Sequence, residues 1–167
     1  WDGRRSVHSI VLASPPTWKD LSEGVGDEEE VASNFRWLSS PLGALSYRVL
    51  RTRGFVEFFS NLFLFVDKAD ERWLEACEEG ATLEARWPVL AFNAGLVGRA
   101  GLGAELRDLS APMLVLSGEA DKRVVDRAGY AEAVPRCTMQ DLPGCNVLPW
   151  ESPGETSDAV ARFVESI

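Results

Sequence analysis

Short apolar runs cut off by turn-forming residues, with about ninety residues of helical periodicity between the first two, constrain this chain more than any other feature of its sequence. Val7 to Ala13 (VHSIVLA) ends at Ser14-Pro15-Pro16, and Met113 to Ser117 follows Pro112 and stops at Gly118. Aliphatic and β-branched runs of this length, bounded by turn signals, read as buried strands of a parallel sheet. A third run, Cys137 to Leu142, is closed by Pro143-Gly144, where the turn signal is the stronger part. Parallel strands need crossover connections, and crossovers tolerate insertions. The expected architecture is therefore α/β: three parallel strands with flanking helices and a helical lid inserted after the first. Residues 1–16 would hold the first core strand, 17–110 the lid and its return hinge, and 111–167 the rest of the core.

The insertion has its own grammar. Asp27 with Glu30 is placed to cap a helix carrying Val31, Phe35 and Leu38 on one face, and Leu42, Leu45 and Val49 extend the pattern after Pro41. Trp73, Leu74 and Cys77 mark another helix, and Leu90, Ala91 and Ala94 a further one starting near Pro88. Twelve of the sixteen aromatic residues fall between Trp18 and Phe92. Rings in such number either build the core of a thin helical layer or line an apolar substrate pocket, and periodicity does not separate the two. At the carboxy end, Ser152-Pro153-Gly154-Glu155 has the form of an N-cap serine, a proline in the first turn and a capping-box glutamate. Val160, Phe163, Val164 and Ile167 then recur on one helical face, which is expected to pack.

Composition removes several function classes. With 26 acidic against 17 basic residues, a net charge of −9 and a pI near 4.7, the chain is unsuited to phosphate backbones, so nucleic acid is not an expected partner. Cys77, Cys137 and Cys145 are odd in number and unrelated in spacing, which suits free thiols in a reducing compartment, cytoplasm or organelle stroma. There is a single histidine, His8, and no C-x-x-C pair, so no metal site is expected. No cofactor is implied either. Gly98, Gly101 and Gly103 follow no strand and lack the acidic partner of a dinucleotide site, so they read as a hinge. The apolar stretch Phe55 to Val66 is broken by Glu57, Ser60 and Asn61 and is too short to span a membrane. Arg48, Arg51 and Arg53, read as one short helix, either meet an anionic substrate group or offset the acidic runs Asp27 to Glu30 and Asp67 to Glu79. The first residue is Trp1 with no leader pattern behind it, so the chain reads as starting in mid-sequence.

In open α/β sheets ligands sit beyond the carboxyl ends of the strands, which directs attention to three loops. They are Ala13-Ser14-Pro15-Pro16, Gly118-Glu119-Ala120-Asp121, and Pro143-Gly144-Cys145-Asn146 running to Glu151. With VLASPP, MLVLSGEAD and LPGCNVLPWESP in that order before a terminal helix, the chain resembles the carboxy-terminal half of an α/β-hydrolase with a helical lid. The resemblance spans essentially the whole chain. It implies a small, largely apolar substrate or ligand, ester-type hydrolysis or a similar reaction, and an amino-terminal half of the same domain carrying the nucleophilic serine shortly before Trp1.

That reaction uses a serine on a strand-to-helix elbow, an acid after a later strand and a histidine before the final helix. The resemblance places Asp121 at the acid position, where a carboxylate would hold the imidazole; the plainer reading is a solvated loop aspartate beside Lys122 and Arg123. Glu119 is expected to point away. Asn146 stands where the resemblance puts the histidine, and an amide neither takes nor gives a proton near neutral pH. Loss of the base in such a triad costs about a millionfold in turnover. His8 is no substitute, since five residues at about 3.3 Å each separate it by roughly 17 Å from the strand's carboxyl edge at Ala13, and it reads as a half-buried strand residue. No G-x-S-x-G occurs, and Ser14, Ser117 and Ser152 lack the flanking glycines of an elbow. Cys145 has no nearby cation in the sequence to lower its pKa and is a poor candidate nucleophile. The chain alone is thus expected to be inactive, and a pseudoenzyme that binds without hydrolysing is the alternative. If the preceding strands are absent, the first strand would offer an open apolar edge, which favours association.

Overall fold

The computed structural model describes residues 7–24, 26–97, 101–122 and 124–167, so Trp1, Gly98 and Arg123 lie outside the described residues. In chain order the elements are β1 (Ile10–Ala13), α1 (Trp18–Glu23), α2 (Glu28–Ser39), α3 (Pro41–Leu50), α4 (Arg53–Phe63), α5 (Glu71–Gly80) and α6 (Arg86–Asn93). Then follow α7 (Gly103–Arg107), β2 (Met113–Gly118), a 3₁₀ turn at Val125–Arg127, α8 (Gly129–Ala133), β3 (Cys137–Leu142), α9 (Leu148–Glu151) and α10 (Pro153–Glu165). The chain divides into two compact units, one of Trp1–Ser22 with Leu102–Ile167 and one of Glu23–Gly101.

The first unit is built on a parallel three-stranded sheet in the order β1-β2-β3. Ile10 lies opposite Met113 at the start of one ladder, and Met113 opposite Cys137 at the start of the other. The central strand β2 is apolar along its length because it is covered on both faces, and all six of its residues are buried. Leu114 and Leu116 turn to one face, where Leu142, Leu148, Ala159 and Phe163 meet them from β3, α9 and α10. Met113 and Val115 turn to the other, against Tyr130 and Val134, with Ile10, Leu12, Trp18, Leu21, Leu106 and Leu109 packed around them. Each of these four β2 side chains contributes roughly 1.5–3 kcal/mol by leaving water. The fold is α/β, with the sheet sandwiched between helices.

Several sequence expectations are corrected here. β1 is shorter than Val7 to Ala13 and is not buried: its residues alternate between half-buried and exposed, because Ile10 and Leu12 pack while Val11 is 38% exposed. His8 lies ahead of the strand and is exposed, not half-buried. The Ser152 hydroxyl does not cap α10; it donates instead to the carbonyl of Pro143, tying together the two ends of the loop after β3. On α10 the packed residues are Ala159, Val160 and Phe163, whereas Val164 and Ile167 are exposed. Gly103 opens α7 in a buried position where an added Cβ would sit 2.9 Å from Ser22.

The second unit is helical throughout its described elements, α2 to α6. Asp27 caps α2 by accepting from Glu30 N at 2.8 Å, as its spacing with Glu30 predicts. Ser40 caps α3 and Asp70 caps α5 in the same manner. Val31, Tyr47, Phe65, Leu74, Leu90 and Ala94 are its buried hydrophobic residues. Phe65 meets Trp73 edge-on at 5.1 Å, and the Trp73 indole N–H donates to Ser60 at 2.9 Å. α3 corrects the expected stripe: Leu42, Leu45 and Val49 are exposed, and the helix buries Gly43 and Tyr47 instead. Gly43 is required there, since a Cβ would fall 2.2 Å from the Leu38 carbonyl oxygen. The three arginines do not share one helix. Arg48 lies in α3, Arg51 caps its end and Arg53 opens α4, where it pairs with Glu71 and Glu78 at 2.5 and 3.2 Å.

Candidate active site at the strand ends

The loops after β2 and β3 touch backbone to backbone. Glu119 N donates to Leu142 O at 2.9 Å and Ala120 N to Gly144 O at 3.0 Å, continuing the sheet past its last residues. Gly118 makes that approach feasible: a Cβ there would stand 1.9 Å from the Cys145 carbonyl oxygen, so only glycine fits. Asp121 then turns back, its N–H donating to Gly118 O at 2.9 Å, which aims its side chain inward.

Asp121 is only 5% exposed, so it is not a solvated loop aspartate. The Asn146 side-chain amide donates to its Oδ2 at 3.1 Å, joining the two residues that the sequence singled out. An ionised carboxylate only accepts, so the amide presents its NH₂. The same Oδ2 accepts from Nη2 of Arg127 at 2.8 Å, in an ion pair whose arginine is fully buried. A buried charge is costly unless paired, and this pairing compensates both partners. Arg127 also donates through Nε to Pro15 O at 2.6 Å, and the Tyr130 hydroxyl donates to Pro16 O at 3.1 Å, so the loop after β1 is held to the same place. Burial pushes the Tyr130 hydroxyl up to about 12, with Arg127 acting in the opposite direction.

Three buried polar atoms here have no hydrogen-bond partner among the described residues: Nη1 of Arg127 and the hydroxyls of Ser14 and Ser117. Ser14 also has φ +48, a left-handed conformation rare for a residue with a side chain. The Glu119 side chain is exposed. The Cys145 N–H donates to Oε2 of Glu151 at 2.7 Å, which fixes the backbone just before Asn146. Burial raises the thiols of Cys77 and Cys137, and among the described residues none of the three cysteines forms a disulfide.

The arrangement holds an amide against a carboxylate, so it can orient a group, and the amide cannot move a proton. Among the described residues no group of three or more His, Cys, Asp or Glu could hold a metal ion, and no helix is long and apolar enough to cross a membrane. Sequence reasoning missed Arg127. Its charged neighbours Asp121, Lys122 and Asp126 make it look solvated, and its partner Pro15 is 112 positions away.

No family model matches the sequence, and no curated protein matches it. Solved structures do. The chain is similar to a proline iminopeptidase from Mycobacterium smegmatis at 17% identity and TM-score 0.58, covering 95% of this chain and 56% of that one. It is similar to an esterase from Exiguobacterium antarcticum at 12% identity and TM-score 0.63, covering 98% of this chain and 59% of that one. A bacterial membrane phospholipase A aligns at 19% identity and TM-score 0.65, covering 96% of this chain and 49% of that one. The chain thus spans between half and three fifths of these structures.

Proposed function

Part of an α/β-hydrolase fold is what this chain carries, and on that premise we propose that the whole protein acts on a small, largely apolar molecule by ester-type hydrolysis or a similar reaction. Asp121 stands in the place of the acid. Residues 1–167 by themselves turn over nothing. The observation that carries this reading is the 3.1 Å hydrogen bond from Asn146 to Asp121 across the loops after β2 and β3. A base oriented by an acid needs that juxtaposition, and the residue occupying the base's side of it has no transferable proton. Iminopeptidase, esterase and phospholipase neighbours support a hydrolytic origin.

The test is hydrolysis of p-nitrophenyl butyrate by the 167-residue chain, which is expected to match the buffer blank. Turnover above the blank, abolished by Asp121→Asn, would overturn the inactivity of this stretch. For the whole protein, labelling by a serine-directed fluorophosphonate supports hydrolysis.

A second reading, a binding protein of the same fold, is favoured by Arg127. Its guanidinium already compensates the Asp121 charge at 2.8 Å, so the carboxylate has less to offer a forming imidazolium. An intact elbow serine that resists the fluorophosphonate supports this second reading against the first.

A further inference from the structure

We propose that the helical unit binds a small amphipathic monoanion, a carboxylate with an apolar body, in the cavity between α2, α3 and α6, with the carboxylate on Arg86. The cavity is made of residues of this unit alone and goes beyond the reading of Asp121 and Asn146. Its volume is about 320 Å³, room for roughly ten non-hydrogen atoms at the ~30 Å³ that a water occupies in the liquid. Leu38, Leu50, Val89 and Leu90 give it apolar walls, running from the buried Leu90 to the exposed Trp37 and Leu50. A few polar groups set in an apolar cavity fix the orientation of a ligand, and here the charged one is Arg86.

Arg86 is held in place without being neutralised. Its Nη2 donates to the carbonyls of Leu38 at 2.8 Å and Ser40 at 3.3 Å, at the end of α2, and its guanidinium carbon lies 5.3 Å from the centre of the Trp87 ring. Its Nε–H is buried and has no hydrogen-bond partner among the described residues. Among the described residues no carboxylate lies within ion-pair distance of it. Among the described residues the guanidinium charge has no counter-ion, and an entering carboxylate oxygen would compensate it through a charge-assisted hydrogen bond. A neutral apolar ligand would not, and a dianion would bring an excess charge into apolar walls. The chemistry therefore selects one negative charge on a short chain or ring.

The experiment is titration calorimetry of the 167-residue chain with octanoate, which has ten non-hydrogen atoms, and with 1-octanol, at about 0.15 M salt so that the net charge of −9 is screened. The expected result is one saturable octanoate site at least tenfold tighter than octanol. In Val89→Trp, which adds bulk to the cavity wall and keeps Arg86, octanoate binding is expected to be lost. In Arg86→Gln the preference for octanoate over octanol is expected to fall to within threefold, with circular dichroism checking that the variant is folded. Equal affinity for the two ligands, or octanoate binding unchanged in Val89→Trp, would overturn the proposal even if Arg86→Gln fails to fold. Hydrolysis is not read in this experiment, so its failure would leave the reading of Asp121 where it stands.

Discussion

Arg127→Met isolates what the buried ion pair does for the strand-end loops. The methionine keeps most of the stem's volume but leaves the Asp121 carboxylate, 5% exposed, without its guanidinium, and Pro15 O without its donor. Removing one partner of a buried pair costs about 3–5 kcal/mol, because the charge left behind stays desolvated. At about 1.4 kcal/mol per factor of ten, even the lower figure makes local opening more than about a hundredfold more frequent. The amides that report it are Ile10, bonded to Pro112 O, and Ser14, bonded to Leu116 O, both at the junction of β1 with β2. Hydrogen exchange by mass spectrometry should show their protection falling by that factor, while β3 amides lose less. Combining the change with Asp121→Asn, which removes the charge that had faced Arg127, should recover about 1–3 kcal/mol relative to the sum of the single effects. Exchange within threefold of the wild type at residues 10–16, or strictly additive effects, would refute the claim that this pair fastens the three loops.

Gly118→Ala should lower the melting temperature by at least about 4 °C, since a Cβ 1.9 Å from a backbone carbonyl oxygen forces β2 and the loop after β3 apart; an unchanged melting curve by circular dichroism would contradict it. Tyr130 supplies a pH signature. Its folded pKa of about 12 lies above the unfolded value near 10, so the unfolded chain gives up the proton first, and the stability is complete below pH 10 and lost as pH rises toward 12. Over that window the slope of the urea midpoint against pH should be shallower in Tyr130→Phe than in the wild type, and equal slopes would exclude the effect. Among the described residues β1 pairs only with β2 and leaves Val11 38% exposed, so Val11→Lys should reduce self-association in sedimentation velocity. No difference between the two proteins would rule out that edge as the contact.

What the sequence shows of this fold follows from how local each cause is. β3 begins and ends where Cys137 and the Pro143-Gly144 turn say it should, and Asp27 caps α2 from three positions away. β2 is legible because both its faces are apolar. The exposure of Val11 and the turning outward of Leu42, Leu45 and Val49 are not legible, because they depend on which neighbours are there to cover them. Phe55, Phe58, Phe59, Leu62 and Phe63 follow a helical spacing that α4 realises. At the site, Asp121 and Asn146 were found through motif order. Arg127 was not, since a contact with a backbone carbonyl 112 residues away leaves no mark on either residue.

The loops after the three strands are fastened to one another before any ligand arrives. Arg127 ties Pro15 to Asp121, Asn146 ties Asp121 to the loop after β3, and the Gly118 approach leaves no slack between them. A molecule that lodges against them meets a template already set, so it forfeits little ordering entropy on arrival and gains affinity from that economy. The corollary is intolerance: a ligand too broad for that template cannot be accommodated by one loop yielding, because the other two must yield with it.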